Sequence, residues 1–172
     1  MFWLGHMGIG LETAKIVDRD PPLKPLLLGT LLPDLLDKPL YYGLSWATGR
    51  HAAALSIVAG TRTFGHTILL TAAIYAAGAA RKSRTATALA LGMATHLVLD
   101  MATDLCVRNA GFSMRAFAWP LLGWQFPVYP FYGWHEHVMS VRHPFMIATE
   151  SIGAVCLLVE WRRRRAPAGL GR

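Results

Sequence analysis

Three apolar stretches, residues 64–80, 85–105 and 144–161, set the narrowest limit on what this chain can fold into. A helix needs about 20 mostly apolar residues to cross a bilayer, with about 17 as the lower bound. The first stretch sits at that bound, and the second carries His96, Asp100 and Asp104 within its length. In hydrocarbon the backbone must satisfy its own polar groups, so runs of this length cross as helices. Composition points the same way. Hydrophobic residues make up 53% of the chain and charged residues 16%, with mean hydropathy +0.35, whereas a soluble globular domain carries about 25% charged residues. The expected fold class is therefore all-α, a small polytopic membrane helical bundle of three to five apolar helices.

The helix count depends on two weaker stretches. Residues 2–17 are apolar but interrupted by His6, Glu12 and Lys15, and residues 25–36 are strongly apolar but short. The sequence DRDPP at 18–22 breaks the chain between them, because proline ends helices and restricts the residue before it. A shallow hairpin is the expected form, with two full crossings as the alternative. Residues 106–143 are rich in Trp, Tyr, Phe, Pro and Gly. They predict an irregular segment at the membrane–water boundary, where amphipathic rings prefer to sit. Residues 1–161 are expected to form one membrane-embedded domain, and residues 162–172 a basic, disordered tail. Cys106 and Cys156 form no CxxC pair, and Cys156 lies in an apolar run, so a disulfide is not expected. A cleavable leader is not expected either, since no basic segment precedes the first apolar stretch and no A-x-A site follows it.

The net charge of +7 and the pI near 9.9 fit either nucleic acid or an anionic membrane as partner. Position decides between them. Arg162, Arg163, Arg164 and Arg165 close the last apolar run, and RKSR at 81–84 separates the first two. Basic clusters beside apolar runs are topology signals of membrane proteins, and no aromatic-basic interleaving of the kind that binds single-stranded nucleic acid accompanies them. The expected partner is the lipid bilayer, not nucleic acid. With the arginine tail placed in the cytoplasm by the positive-inside rule, 11 of the 17 lysines and arginines fall on the inner side.

That topology carries a further expectation. His6, Asp34, Asp37, His66, His96 and Asp100 all come out at one depth, near one face of the membrane, and inverting the topology moves them together. His96 and Asp100 are spaced i, i+4, so on a helix they share a face one turn apart. Asp34 and Asp37 are spaced i, i+3 and share a face if the helix continues through them. Carboxylates with imidazoles suit Zn²⁺, Mn²⁺ or Fe²⁺, and the lack of paired cysteines excludes thiolate chemistry. A divalent cation would neutralise aspartates that otherwise cost about 2.5–3.5 kcal/mol each at a helix centre, and intramembrane ionisable groups mark function by default. Plainer readings stand beside this one. Asp34, following Pro33, could cap a helix; Asp37 could pair with Lys38 in solvent; His96 and Asp100 could share only a structural hydrogen bond. In WHEH at 134–137, an extended backbone would point His135 and His137 the same way, though a wet interfacial loop explains them as well.

A His near the start (GH, 5–6), LLPDLLDKP (31–39), RTFGHTILL (62–70), GMATHLVLDMATD (92–104) and the following WP (119–120) occur in a fixed order. In these motifs the chain resembles the YdjM-like family, described as LexA-binding, inner-membrane-associated and assigned as metal-dependent hydrolases. The resemblance covers most of residues 5–120. It implies an integral protein of a prokaryotic-type inner or plasma membrane, and His6, Asp34, His66, His96 and Asp100 fit the family's motif positions. The chain departs from the commoner pattern at three places: Leu36 stands where many members have Asp, Asp37 where His is common, and Thr61 where a His precedes the Arg-Gly.

The leading expectation is a membrane-bound hydrolase with a divalent metal, zinc before manganese or iron, acting on an ester or phosphoester of a lipid-like substrate. Its metal ligands would be His6, Asp34, His66, His96 and Asp100. Asp34, Asp37 and Asp100 would serve catalysis, Asp34 as ligand or general base and Asp37 as ligand or orienter. Arg62 would bind substrate phosphate, unless it is an interfacial anchor. The alternatives are a metal-stabilised membrane scaffold without turnover, and an ion- or proton-translocating protein that uses the His and Asp chain.

Overall fold

A computed structural model describes residues 2–107, 111–128, 134–139 and 142–165. It contains helices α1 (Trp3–Ala14), α2 (Leu23–Thr48), α3 (Ile68–Ala80), α4 (Arg84–Val107), α5 (Gly111–Phe117), α6 (Trp134–Met139) and α7 (Pro144–Arg165). There is no strand among the described residues, so the chain is all-α. Helix α4 lies at the centre, with α2, α3 and α1 packed on it, and α7 packs along α1.

Small residues make the central packing close. A Cβ on Gly29 of α2 would lie 2.1 Å from the Leu89 carbonyl oxygen of α4, and one on Gly92 of α4 would lie 2.2 Å from that of Leu26. Backbone-to-backbone approach of this kind joins helices in lipid, where apolar side chains gain little by leaving the hydrocarbon. Beside the contact, Leu11, Ala14, Leu26 and Ala88 form a buried apolar cluster from α1, α2 and α4. Glu150 of α7, a carboxylate inside an apolar helix, accepts hydrogen bonds from the backbone amides of Phe2, Leu4 and Gly5 at 2.9, 2.9 and 3.1 Å. It thereby satisfies amides that the start of α1 leaves without intrahelical partners.

Two helices, over Arg84–Cys106 and Pro144–Arg165, are long and apolar enough to cross a membrane, which matches two of the three expected spans. The third expectation is corrected. Residues 64–80 do not form one helix. Phe64–His66 make a 3₁₀ turn, and α3 starts only at Ile68, where the Thr67 hydroxyl caps it by accepting from the Leu70 amide at 3.2 Å. At 13 residues, α3 is about 20 Å long, short of the roughly 30 Å hydrocarbon core. The 25–36 stretch is also corrected, because α2 continues through Pro33 and Pro39 to Thr48. The shallow-hairpin picture thus fits the length of α1 but not that of α2. Residues 106–143 are less irregular than expected, since α5 and α6 lie within them. Arg162–Arg165 belong to α7 rather than to a separate tail, and residues 166–172 lie outside the described residues.

One end of the bundle gathers positive charge. Lys15 Nζ bonds Glu160 Oε2 at 2.8 Å, joining the last turns of α1 and α7. Arg84 Nη2 donates to the Asp20 carbonyl at 2.8 Å, joining the α1–α2 loop to the start of α4. The side chain that opens α4 and those that close α7 therefore face the same side as the α1–α2 loop. Both cysteines are free thiols.

Candidate metal centre

Away from the basic end, four segments converge. Helix α1 supplies His6, α2 supplies Asp34 and Asp37, the 3₁₀ turn supplies His66, and α4 supplies His96 and Asp100. All six side chains are buried. The expectation of a common depth corresponds here to contact: His66 Nε2 lies 3.6 Å from Asp34 Oδ1 and 3.6 Å from Asp100 Oδ2.

The turn at Phe64–His66 is held by one carboxylate. Asp37 accepts from the amides of Thr63 (2.7 Å), Gly65 (2.9 Å) and His66 (3.2 Å), and from His66 Nδ1 at 2.7 Å. Asp37 is therefore the loop's anchor and the orienter of the His66 ring, and it makes no solvated pair with Lys38. Lys38 instead reaches back one turn to Asp34 Oδ2 at 2.5 Å. Asp34 lies in the middle of α2 and caps no helix end.

His96 is oriented in a parallel way, with Nδ1 2.7 Å from the Thr30 carbonyl of α2. A carbonyl only accepts, so Nδ1 carries the proton; likewise the Asp37 carboxylate requires a proton on His66 Nδ1. In neutral rings both Nε2 atoms are then lone-pair acceptors, and they face each other at 3.2 Å. Such an arrangement needs a cation or a proton between the nitrogens. Two imidazole nitrogens bound tetrahedrally to zinc at 2.0–2.1 Å stand about 3.3 Å apart. Asp34 Oδ1 and Asp100 Oδ2 are 4.0 and 3.8 Å from His96 Nε2. Each carboxylate oxygen thus lies within 4.0 Å of both imidazole nitrogens.

His6 stacks on His96 with ring centroids 3.8 Å apart and an interplanar angle of 14°. Its Nε2 lies 3.4 Å from Asp100 Oδ1, yet neither ring nitrogen makes a hydrogen bond. A fully buried imidazole without a hydrogen-bond partner is costly, and a cation nearby removes the cost. The donors group as His6, His96 and Asp100, and as Asp34, His66 and His96, with ligand atoms in each group within 4.8 Å of one another. His96 belongs to both. The donor set therefore fits a divalent cation.

Arg62 stands at the edge of this cluster. Its Nε bonds Asp100 Oδ2 at 2.8 Å, and its Nη1 bonds Asp104 Oδ1 and Oδ2 at 3.0 and 2.8 Å. Nη1 also contacts the Ser113 hydroxyl of α5. Burial disfavours the charge of Arg62, but Asp100 and Asp104 outweigh it and hold the guanidinium pKa above its ordinary value. Burial likewise works against a charged His66, while the bonds to Asp34 and Asp37 outweigh it and raise its pKa.

Sequence reasoning did not assign Asp104, Lys38, Ser113 or the Thr30 carbonyl to the site. Asp104 had a local signal, since His96, Asp100 and Asp104 repeat every four residues along one face of α4. Lys38 had one too, since it stands four residues after Asp34; Ser113 and the Thr30 carbonyl had none. His135 is exposed on α6, and the side chains of Glu136 and His137 lie outside the described residues.

Asp37 offers a test of how the ring is held. Asp37→Asn is expected to weaken metal binding about 10–100-fold, the usual loss when a partner that orients a ligating imidazole is removed. Excess metal should restore occupancy, measured by metal titration of the purified protein. Unchanged affinity would mean that the His66–Asp37 pair does not orient a ligand.

The model of the family described as YdjM inner membrane protein matches residues 1–166. No curated protein and no solved structure matches the chain.

Proposed function

The chain belongs to the YdjM inner membrane protein family, and on that premise we propose that it is a membrane-bound, metal-dependent hydrolase of an ester or phosphoester in a lipid-like substrate. The observation that carries the metal reading is the pair of Nε2 atoms of His66 and His96, facing each other at 3.2 Å with both Nδ1 protons committed elsewhere. In this reading His66, His96, Asp34 and Asp100 hold the cation, and His6 joins through its contact with Asp100. Zinc suits the mixed nitrogen and oxygen donors best, with manganese or iron(II) as alternatives. A cation bound there supplies Lewis acidity and makes water a nucleophile near neutral pH.

The side chains divide the remaining work. Asp37 fixes the His66 ring, and the Thr30 carbonyl fixes the His96 ring. Arg62 holds Asp100 in place through Nε, so its role is a positioning one, with its Nη1 committed to Asp104. Lys38 holds Asp34 Oδ2 while Oδ1 faces the imidazoles, so Asp34 serves through Oδ1 as a ligand or, where it leaves the cation to the other donors, as the general base. A crevice lined by Arg62, His66, Leu97, Asp100, Ser113 and Phe117 borders the cluster, which makes the α5 side the proposed approach for substrate. The arginine-rich end of α7 would lie in the cytoplasm by the positive-inside rule, and the metal centre toward the opposite face.

One observation favours a second reading. The crevice is too narrow to admit a water molecule, as suits a cation that only braces the bundle, and on that reading the chain is a scaffold. Turnover separates the two. Protein purified in detergent should cleave a short-chain phosphoester or glycerophospholipid, lose activity to a chelator, and regain it with zinc. Asp100→Ala should lower turnover by at least about 100-fold, the scale of losing a principal catalytic group. Metal bound with no ester or phosphoester cleaved would leave the scaffold reading standing and overturn the hydrolase.

A further inference from the structure

We propose that the basic end of the bundle carries a second site, which binds one anionic phospholipid. The site is independent of the metal centre. A groove of about 510 Å³ opens between α1, α2 and α7, within the roughly 300–1,000 Å³ usual for ligand sites. Its walls are Leu11, Leu23, Leu27 and Leu157, with the Glu160 carboxylate beside them, so the apolar part takes an alkyl chain. Its mouth is made by the last turn of α7, with Trp161, Arg164 and Arg165. A lipid has the matching division, an acyl chain for the walls and a phosphate for the mouth.

The mouth is built for an anion. Glu160 would repel a phosphate, but Lys15 Nζ and Arg164 Nε bind its two oxygens at 2.8 and 2.6 Å. The Arg165 guanidinium lies 4.2 Å from the centre of the Trp161 ring, a cation–π contact that keeps it beside the groove. The negative end of the α7 dipole draws these cations to the same place. Basic pockets between membrane helices on the cytoplasmic side are the expected form of an anionic-headgroup site. Along α2, Leu23 in the groove and Asp34 at the metal centre are eleven residues apart, or about 16 Å at the helical rise. A lipid seated here therefore lies at the opposite level of the bundle from the donors.

The test uses the full chain in phosphatidylcholine vesicles containing brominated phosphatidylglycerol or brominated phosphatidylcholine. Bromine quenches a nearby indole, and subtracting the signal of Trp161→Phe isolates Trp161. Quenching by the anionic lipid should reach half its maximum at about a thirtieth of the mole fraction needed for the zwitterionic lipid, the scale expected for two arginines at a headgroup. The double variant Arg164→Gln with Arg165→Gln should abolish that preference. Leu157→Trp, scored on the same difference signal, should also abolish it by filling the groove while both arginines remain, so the test survives if the double variant fails to insert. Equal quenching by the two lipids would overturn the proposal. So would a preference that persists in both variants, or full competition by inorganic phosphate, which would make the site one for a free anion.

Discussion

Wild-type protein purified in detergent should carry about one divalent cation per chain, and His96→Ala should carry almost none. His96 is the donor common to both ligand groups, and its Nε2 faces that of His66 at 3.2 Å. Removing a partner that only orients a ligand weakens metal sites about 10–100-fold, and removing a donor should exceed that range. The consequence extends to stability. A ligand that binds only the folded chain adds about 2.7 kcal/mol when present at 100 times its Kd, so zinc should raise the unfolding temperature of the wild type and leave that of His96→Ala unchanged. The exposed His51 supplies the control: His51→Ala should keep both the metal and the shift. Elemental analysis with thermal unfolding decides the matter. Equal metal in wild type and His96→Ala would remove the centre described above, and the proposed hydrolase with it.

The second large effect should come from a residue that binds nothing. Replacing a helical glycine by alanine ordinarily stabilises a helix by about 0.5–1 kcal/mol. Gly92→Ala should do the opposite. The new Cβ would meet the Leu26 carbonyl oxygen at 2.2 Å and the Thr30 amide nitrogen at 2.8 Å. Both atoms belong to the α2 backbone, so no side-chain rotation relieves the contact and the helices must separate. Forcing atoms into a packed contact typically costs about 1–3 kcal/mol, and a backbone-to-backbone clash belongs at or above the top of that range. Separation would also pull the Thr30 carbonyl from His96 Nδ1 and move Asp34 from the donors. Gly92→Ala should therefore lose metal affinity although every ligand is intact. Gly43 lies on the same helix α2, with nothing within 4 Å of a Cβ, so Gly43→Ala should be neutral or mildly stabilising. If thermal unfolding shows the two variants equally stable, α2 and α4 do not pack as described.

The local patterns were readable before the fold. Apolar runs with basic flanks are sufficient to indicate a helical membrane protein, because lipid restricts the backbone to few solutions. The i, i+4 spacing of His96 and Asp100 needs only helical geometry to bring them to one face. Counting alternate crossings gave His6, Asp34, His66, His96 and Asp100 a common level, and these side chains do lie close together, although two of the segments had the wrong bounds. Asp34 and His96 lie in the middle of α2 and α4, so moving the ends of those helices by a few residues leaves the two side chains where they are.

Most of the pairings within that level were not readable. Lys38 meets Asp34 at the readable i, i+4 spacing, but Asp37 turned to the amides of residues 63–66, and Arg62 turned to Asp100 and Asp104. A carboxylate's sequence position does not say which donor reaches it when the candidates lie 26 to 42 residues away. The length of α2 failed for a related reason. Proline weakens a helix by a few kcal/mol, which a local reading takes as an end, whereas packing against α4 and the 3₁₀ turn carries α2 through two prolines. By itself, then, the sequence determined a helical membrane chain and which polar residues to look for together, since both follow from local periodicity and the cost of charge in lipid. Only the tertiary structure decided which nitrogen faces which oxygen, because that depends on helix backbones meeting at glycines far apart in the chain.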